Sequence, residues 1–354
     1  MELSKNDTQA AKGIAVIGLV MLHLFCRLGD LPYEPLIWIG NTPLVYYFGL
    51  LGDLCVPVFC FCSGYAHYLL LDCQGADYPR RIPGKILRFL SNYWIVLILF
   101  SVLGLFFGRS GKIPVSFETF LGNFLLYKLT YNGAWWFVLT YLFLLVLSPV
   151  FGKLVRRMNT LLLLALSGAG YFAAYLFRFN IVLEIPVPVA DWVWNQLILL
   201  GTSQLGYVVG MCCRRHGWVA QLREFVRESR LRKWLIVLVL PCMAALAHCR
   251  VQSTFVAPGV AFVVLASLFA VSRPVWLDRV LVFFGKHSTN IWLCHMFFYV
   301  GVFEGFVFTA KYPPLITMLM FGVCIAVSCA IEALRGRCRF TNLPKHTIIS
   351  WLKR

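Results

Sequence analysis

Lys12-Gly13-Ile14-Ala15-Val16-Ile17-Gly18-Leu19-Val20-Met21-Leu22-His23-Leu24-Phe25 decides what kind of chain this is. After Lys12 the run is apolar without alternation, broken only by small glycines and one histidine. Continuous apolarity suits a membrane helix, whereas a barrel strand alternates. The run has no small-residue cleavage site and another apolar span soon follows, so it is read as a helix and not as a signal peptide.

The rest of the chain repeats the pattern. Of its 354 residues, 60 % are hydrophobic and 13 % charged, and the mean hydropathy is +0.76. That composition excludes an ordinary soluble enzyme. Apolar runs at about 13–29, 45–71, 90–108, 133–152, 160–178, 192–212, 234–249, 254–271, 281–303 and 314–334 predict about ten transmembrane helices. The fold class is therefore an all-α, polytopic integral membrane protein. Residues 1–354 form one membrane-embedded domain with no domain-sized soluble segment.

The net charge of +17 suggests nucleic acid until the charges are placed. Of the 32 basic residues, 25 fall on the side of the N-terminus, and the remaining seven are Arg27, Arg109, Lys112, Lys128, Arg178, Arg250 and Lys311. The bias puts both termini in the cytoplasm. It makes anionic membrane lipids, and not nucleic acid, the default partner of the charge. The longest cytoplasmic loop, 213–233, reads as a basic amphipathic helix along the membrane surface, with Trp218, Leu222, Phe225 and Val226 opposite Arg223, Arg227 and Arg230. The first external loop, 29–44, is rich in proline and aromatic residues and could cap an opening. The thirteen cysteines are scattered through apolar runs with no zinc-type spacing, so they read as small hydrophobes and no metal is expected.

Few polar residues interrupt the spans. His23 follows Lys12 by eleven residues. Eleven helical steps turn about 1100°, roughly 20° past three full turns, with a rise of about 16 Å, so both side chains share a face. Lys12 then sits at the cytoplasmic interface and His23 near or beyond the midplane. An imidazole in hydrocarbon needs a protein-facing partner. Two readings follow: an interhelical hydrogen bond, or a proton-transfer base with Lys12 holding an anionic donor at the cavity mouth. Asp53 is the one acidic residue of the second span, so it faces a cavity or a basic partner. That span continues through Val56-Pro57-Val58-Phe59 to Ser63-Gly64-Tyr65. The loop beyond it carries Arg80, Arg81, Lys85 and Arg88, which either anchor the topology or bind phosphates. Asn132, Trp135 and Trp136 open the fourth span as interface residues or as a sugar platform. His295, eight residues after His287, adds a second intramembrane imidazole.

In order and spacing these fragments resemble the bacterial membrane acyltransferase family that includes O-acetyltransferases of O-antigens and exopolysaccharides, acyltransferase family 3. The resemblance spans essentially the whole chain. It rests on Lys12 through His23, on Val56-Pro57-Val58-Phe59 with Ser63-Gly64-Tyr65, on Tyr78-Pro79-Arg80-Arg81 to Arg88, and on Ser288 through His295. Trp292 stands where the family usually has tyrosine, Lys12 where arginine is commoner, and Gln9 where many members have an acid. The resemblance implies transfer of an acyl group from cytosolic acetyl-CoA, or another acyl-CoA, to a hydroxyl of a glycan or glycolipid. It implies a multi-pass protein of the bacterial cytoplasmic (inner) membrane, with His23 catalytic. Lys12, Arg80, Arg81 and Arg88 would hold the CoA phosphates. Asp53, Ser63, Tyr65, Asn132, Trp135, Trp136 and His295 would serve the cavity or the acceptor. A homo-oligomer is compatible with these features. The competing class is an exporter of lipid-linked glycan or polysaccharide, which would move its cargo without changing its mass.

Overall fold

The computed structural model describes residues 2–108 and 113–337, without the side chains of Gly336 and Arg337. The expectations about Arg109, Lys112, the Arg337 side chain, Arg339, Lys345, Lys353, Arg354 and the C-terminus lie outside the described residues.

A helix, α1 (Lys5–Phe25), leads through a small hairpin of β1 (Trp38–Ile39) and β2 (Thr42–Pro43) into α2 (Leu44–Leu50). A 3-10 turn at Leu51–Leu54 joins α2 to α3 (Cys55–Gln74). Then come α4 (Asp77–Arg80), α5 (Ile82–Phe107), α6 (Phe117–Phe124), α7 (Trp136–Arg157), α8 (Thr160–Phe179) and α9 (Pro188–His216). Next are α10 (Trp218–Arg227), α11 (Arg230–Trp234), α12 (Leu240–Val251), α13 (Ala257–Ala270), α14 (Val275–Cys294) and α15 (Pro313–Arg337). The protein is largely α-helical, as a polytopic membrane protein requires.

Among the described residues, eight helical stretches are long and apolar enough to cross a membrane: Lys5–Phe25, Leu44–Gln74, Asp77–Phe107, Gly133–Arg157, Thr160–Phe179, Pro188–His216, Arg230–Val251 and Pro313–Arg335. The other two spans expected from the sequence fall short for different reasons. Helix α13 has only 14 residues, below the roughly 20 that a straight crossing needs. Helix α14 is 20 residues long but carries Asp278, Arg279 and Lys286.

Local sequence sets the helix ends. Ser4 caps α1: its Oγ accepts from the Asp7 amide at 3.0 Å, and Asp7 Oδ2 accepts from the Ser4 amide at 3.0 Å, a reciprocal capping box. Prolines in the first turn open α5, α9 and α13, where a missing amide hydrogen costs nothing. Asp7 also takes Arg273 at 2.8 Å and Arg223 at 3.2 Å, which ties the start of α1 to the α13–α14 connection and to α10.

Two helix pairs organise the core. On α1 and α14, a Cβ at Gly13 would overlap the Leu281 carbonyl, and one at Gly285 would overlap the Gln9 carbonyl. On α3 and α9, Gly64 faces the Tyr207 carbonyl and Gly210 the Phe61 carbonyl in the same way. Lipid gives apolar helices no hydrophobic reason to associate, so close backbone approach at small residues supplies the packing.

The loop expected to be one amphipathic helix differs in detail. Helix α9 runs on to His216, and α10 and α11 follow as separate short helices. Val219 and Val226 are buried, while Phe225 is exposed. Arg223, expected on the polar side, reaches inward: its Nε donates to the Phe269 carbonyl at 2.9 Å. The docking of α10 against α13 and the N-terminal segment, not lipid alone, sets which face turns in.

Candidate active site within the helical bundle

A cavity of about 430 Å³ opens among α1, α3, α7, α8, α9, α13 and α14. Lys12 and His23 both line it, together with Asp53, Ser63, Trp136, Arg178, Ser288 and Thr289. The common helix face predicted for Lys12 and His23 is the face that α1 turns to this space.

His23 is held from one side. Its Nδ1 lies 3.1 Å from the Tyr299 hydroxyl, and its ring meets the His295 ring edge to face at 4.9 Å between centroids. The second ring nitrogen, Nε2, has no hydrogen-bond partner among the described residues. Arg27, one turn on, donates to the His23 carbonyl at 3.1 Å and spreads over the Tyr299 and Phe308 rings. His295 is fully buried, and its Nδ1 sits 2.8 Å from the Trp292 carbonyl, which makes Nδ1 the protonated nitrogen. Its Nε2 is buried without a partner among the described residues.

Asn132 and Trp135 lie behind the wall. The Asn132 amide and the Trp135 indole both donate to the Leu293 carbonyl at 3.0 Å, and Trp292 donates to the Ala134 carbonyl at 3.0 Å. These bonds pin the end of α14 that carries His295. Trp136, in contrast, lines the cavity.

Asp53 takes the partner its location demanded, His248 Nε2 at 2.9 Å. His248 is buried on α12, and the other carboxylate oxygen of Asp53 is buried without a partner among the described residues. Sequence reasoning missed His248, although the rule applied to His23 covers any imidazole within an apolar helix. It also took Arg178 only as a span-end charge and overlooked Tyr299.

Tyr65 and the arginine cluster lie elsewhere. The Tyr65 hydroxyl bonds the Glu2 carboxylate and accepts from the Leu3 amide at 3.1 Å, so it anchors the N-terminal segment and does not line the cavity. Arg80, Arg81 and Arg88 are exposed and also lie outside the lining. Arg80 pairs with Asp77 at 3.5 Å, and Arg88 immediately precedes Phe89, which does line the cavity. Among the described residues, no three histidine, cysteine or acidic side chains converge as metal ligands.

No curated protein and no solved structure gives a significant match to the chain. The family model for an acyltransferase domain, acyltransferase family 3, matches residues 7–333. That interval contains the glycine contacts of both helix pairs and every residue of the cavity wall, and the chain belongs to the acyltransferase-3 family.

Proposed function

We propose that this protein is a membrane O-acyltransferase, in particular an O-acetyltransferase, that moves an acyl group from cytosolic acyl-CoA to a hydroxyl of a glycan or glycolipid. The observation that carries the reading is that Lys12 and His23 line one cavity from one helix, separated by eleven residues. In this reading the chain crosses the bacterial cytoplasmic membrane ten times, with α13 and α14 completing the eight longer stretches and both termini in the cytoplasm. The charge bias supports that orientation.

Lys12 and the exposed Arg80, Arg81 and Arg88 hold the CoA phosphates, and the pantetheine arm reaches inward toward His23. Arginine forks suit phosphate oxygens, and Arg88 is the chain neighbour of Phe89, which lines the cavity. When Nδ1–H of His23 is donated to Tyr299, Nε2 keeps a lone pair that can act as a base. As a sugar hydroxyl attacks the thioester carbonyl, Nε2 takes its proton. The C–S bond then breaks, and the CoA thiolate recovers a proton from the imidazolium. Acyl-histidine formation would use the same nitrogen as nucleophile. His23 and the substrate positions together supply the chemistry, and no metal is needed.

The test is purified protein in detergent with acetyl-CoA and a panel of glycan acceptors. Free CoA thiol should appear only with an acceptor, and that acceptor should gain the mass of an acetyl group. An intact glycan delivered across a reconstituted bilayer, with acyl-CoA untouched, would favour an exporter instead.

A further inference from the structure

The two ends of the cavity are chemically different. Glu2 lies 4.0 Å from Arg214 near the end of α9, and His216 there bonds Thr160 at the start of α8 at 2.8 Å. The N-terminal segment, the start of α8 and the end of α9 therefore share one end of the bundle. Arg178 stands 18 residues along α8 from Thr160, roughly 27 Å away, and so belongs to the opposite end. It lines the same cavity as Lys12.

Arg178 is half-buried, and no carboxylate lies within ion-pairing distance of it among the described residues. Two other arginines that are not exposed differ: Arg273 holds Asp7 and Asp278, and Arg223 holds Asp7, while half-buried Arg27 is turned to the His23 carbonyl and two aromatic rings. Asp53, the acid that lines this cavity, is already joined to His248. One Arg178 nitrogen donates to Thr202 Oγ1 at 3.1 Å, and the guanidinium stacks 4.6 Å from the Trp136 ring centroid. Among the described residues the remaining donors of the fork have no hydrogen-bond partner and can serve a ligand. Tyr171 and Tyr175 flank this end, their hydroxyls fixed to the Thr254 carbonyl at 3.0 Å and to Ser253 at 2.9 Å, so their rings stand as fixed walls.

We infer that Arg178 forms an anion subsite for the acceptor, and that the acceptor is a saccharide bearing a carboxylate or a phosphate. The inference rests on the acyl-transfer reading of the cavity and narrows its acceptor. A charged fork in a low-dielectric wall strongly favours an anion over a neutral group, and the flanking rings suit a sugar face.

The whole purified protein in neutral detergent, without acyl-CoA, is titrated calorimetrically with methyl β-glucuronide, glucose 1-phosphate and methyl β-glucoside. At least one charged sugar should bind about tenfold or more tighter than the neutral one, and the two charged probes separate carboxylate from phosphate. In Arg178→Gln the preference should vanish with acyl-CoA affinity unchanged, and Arg178→Lys should keep part of it. Equal affinities, absence of binding by all three, or a preference that survives Arg178→Gln overturns the proposal. So does occupancy by added phosphatidylglycerol alone, which would make Arg178 a lipid anchor. The comparison on the parent protein needs no variant to fold. Because the donor is absent, failure here leaves acyl transfer standing, and failure of acyl transfer leaves this binding result standing.

Discussion

The His23 and His295 rings stand edge to face, centroids 4.9 Å apart and planes inclined at 73°, although they come from the first helix and the far end of the chain. The contact braces one side of the His23 ring and leaves Nε2 unencumbered. Replacing His23 with Gln keeps hydrogen-bonding capacity and approximate size while removing proton transfer. The expected result is a loss in turnover of about 10²-fold or more, about 3 kcal/mol of barrier, with acyl-CoA affinity little changed. Acceptor-dependent CoA release by purified variant and parent measures it, and near-parental turnover would sink the role of base.

Tyr299 is expected to matter through His23 and not by touching substrate. Tyr299→Phe removes the 3.1 Å partner of Nδ1 and little volume. Loss of one such bond corresponds to about 1 kcal/mol, so kcat should fall several-fold while KM for acyl-CoA holds. A change confined to KM would point to a substrate contact instead.

Lys12 and the arginines at the start of α5 should act on donor affinity. Neutralising Lys12, Arg81 or Arg88 should weaken acyl-CoA binding, and the loss should be larger at low ionic strength for the exposed arginines than for half-buried Lys12. Titration of acyl-CoA at two salt concentrations checks this. Unchanged affinity in every single variant would return these cations to a purely topological role.

The α1–α14 contact sets a stability prediction. Gly13→Ala places a methyl against the Leu281 carbonyl and should cost about 1–3 kcal/mol, seen as earlier thermal unfolding in detergent. Gly168→Ala, on α8 with nothing within 4 Å, should be neutral or slightly stabilising, since alanine orders more cheaply in a helix. Equal effects at both positions would contradict close packing at Gly13.

Accessibility of tags tests the orientation. Tags at residues 2 and 354 should be protected from outside intact cells, and one placed between residues 108 and 117 should be labelled. An externally labelled C-terminus together with a protected N-terminus would rule out an even number of crossings.

Much of this site was readable in one dimension because helix geometry is local. The eleven-residue step from Lys12 to His23 fixes a common face on α1 whatever surrounds it. The rule that an intramembrane acid needs a partner correctly demanded one for Asp53. Which partner was a different matter: His248 arrives from α12 through the packing of distant helices, which no spacing within α3 encodes. Tyr65 shows the converse. Its place in a conspicuous motif suggested the cavity, yet two residues, a little over half a turn of α3, separate Ser63, which lines the space, from a hydroxyl spent on the N-terminal segment. Counting crossings also has a physical limit. Helix α13, with one exposed residue, is sheltered by protein, where the bilayer does not dictate length, whereas α14 pairs Asp278 with Arg273 and keeps Arg279 and Lys286 exposed.

The glycine contacts between Gln9–Gly13 and Leu281–Gly285 also order events in time. Helix α1 leaves the ribosome well before α14, so its strip at Gln9 and Gly13 has no α14 to close against while α3 already faces the Lys12 and His23 side. The cavity wall is complete only once α14 has been inserted, and a nascent or prematurely terminated chain lacking α14 is without Ser288, Thr289, Trp292 and the His295 brace.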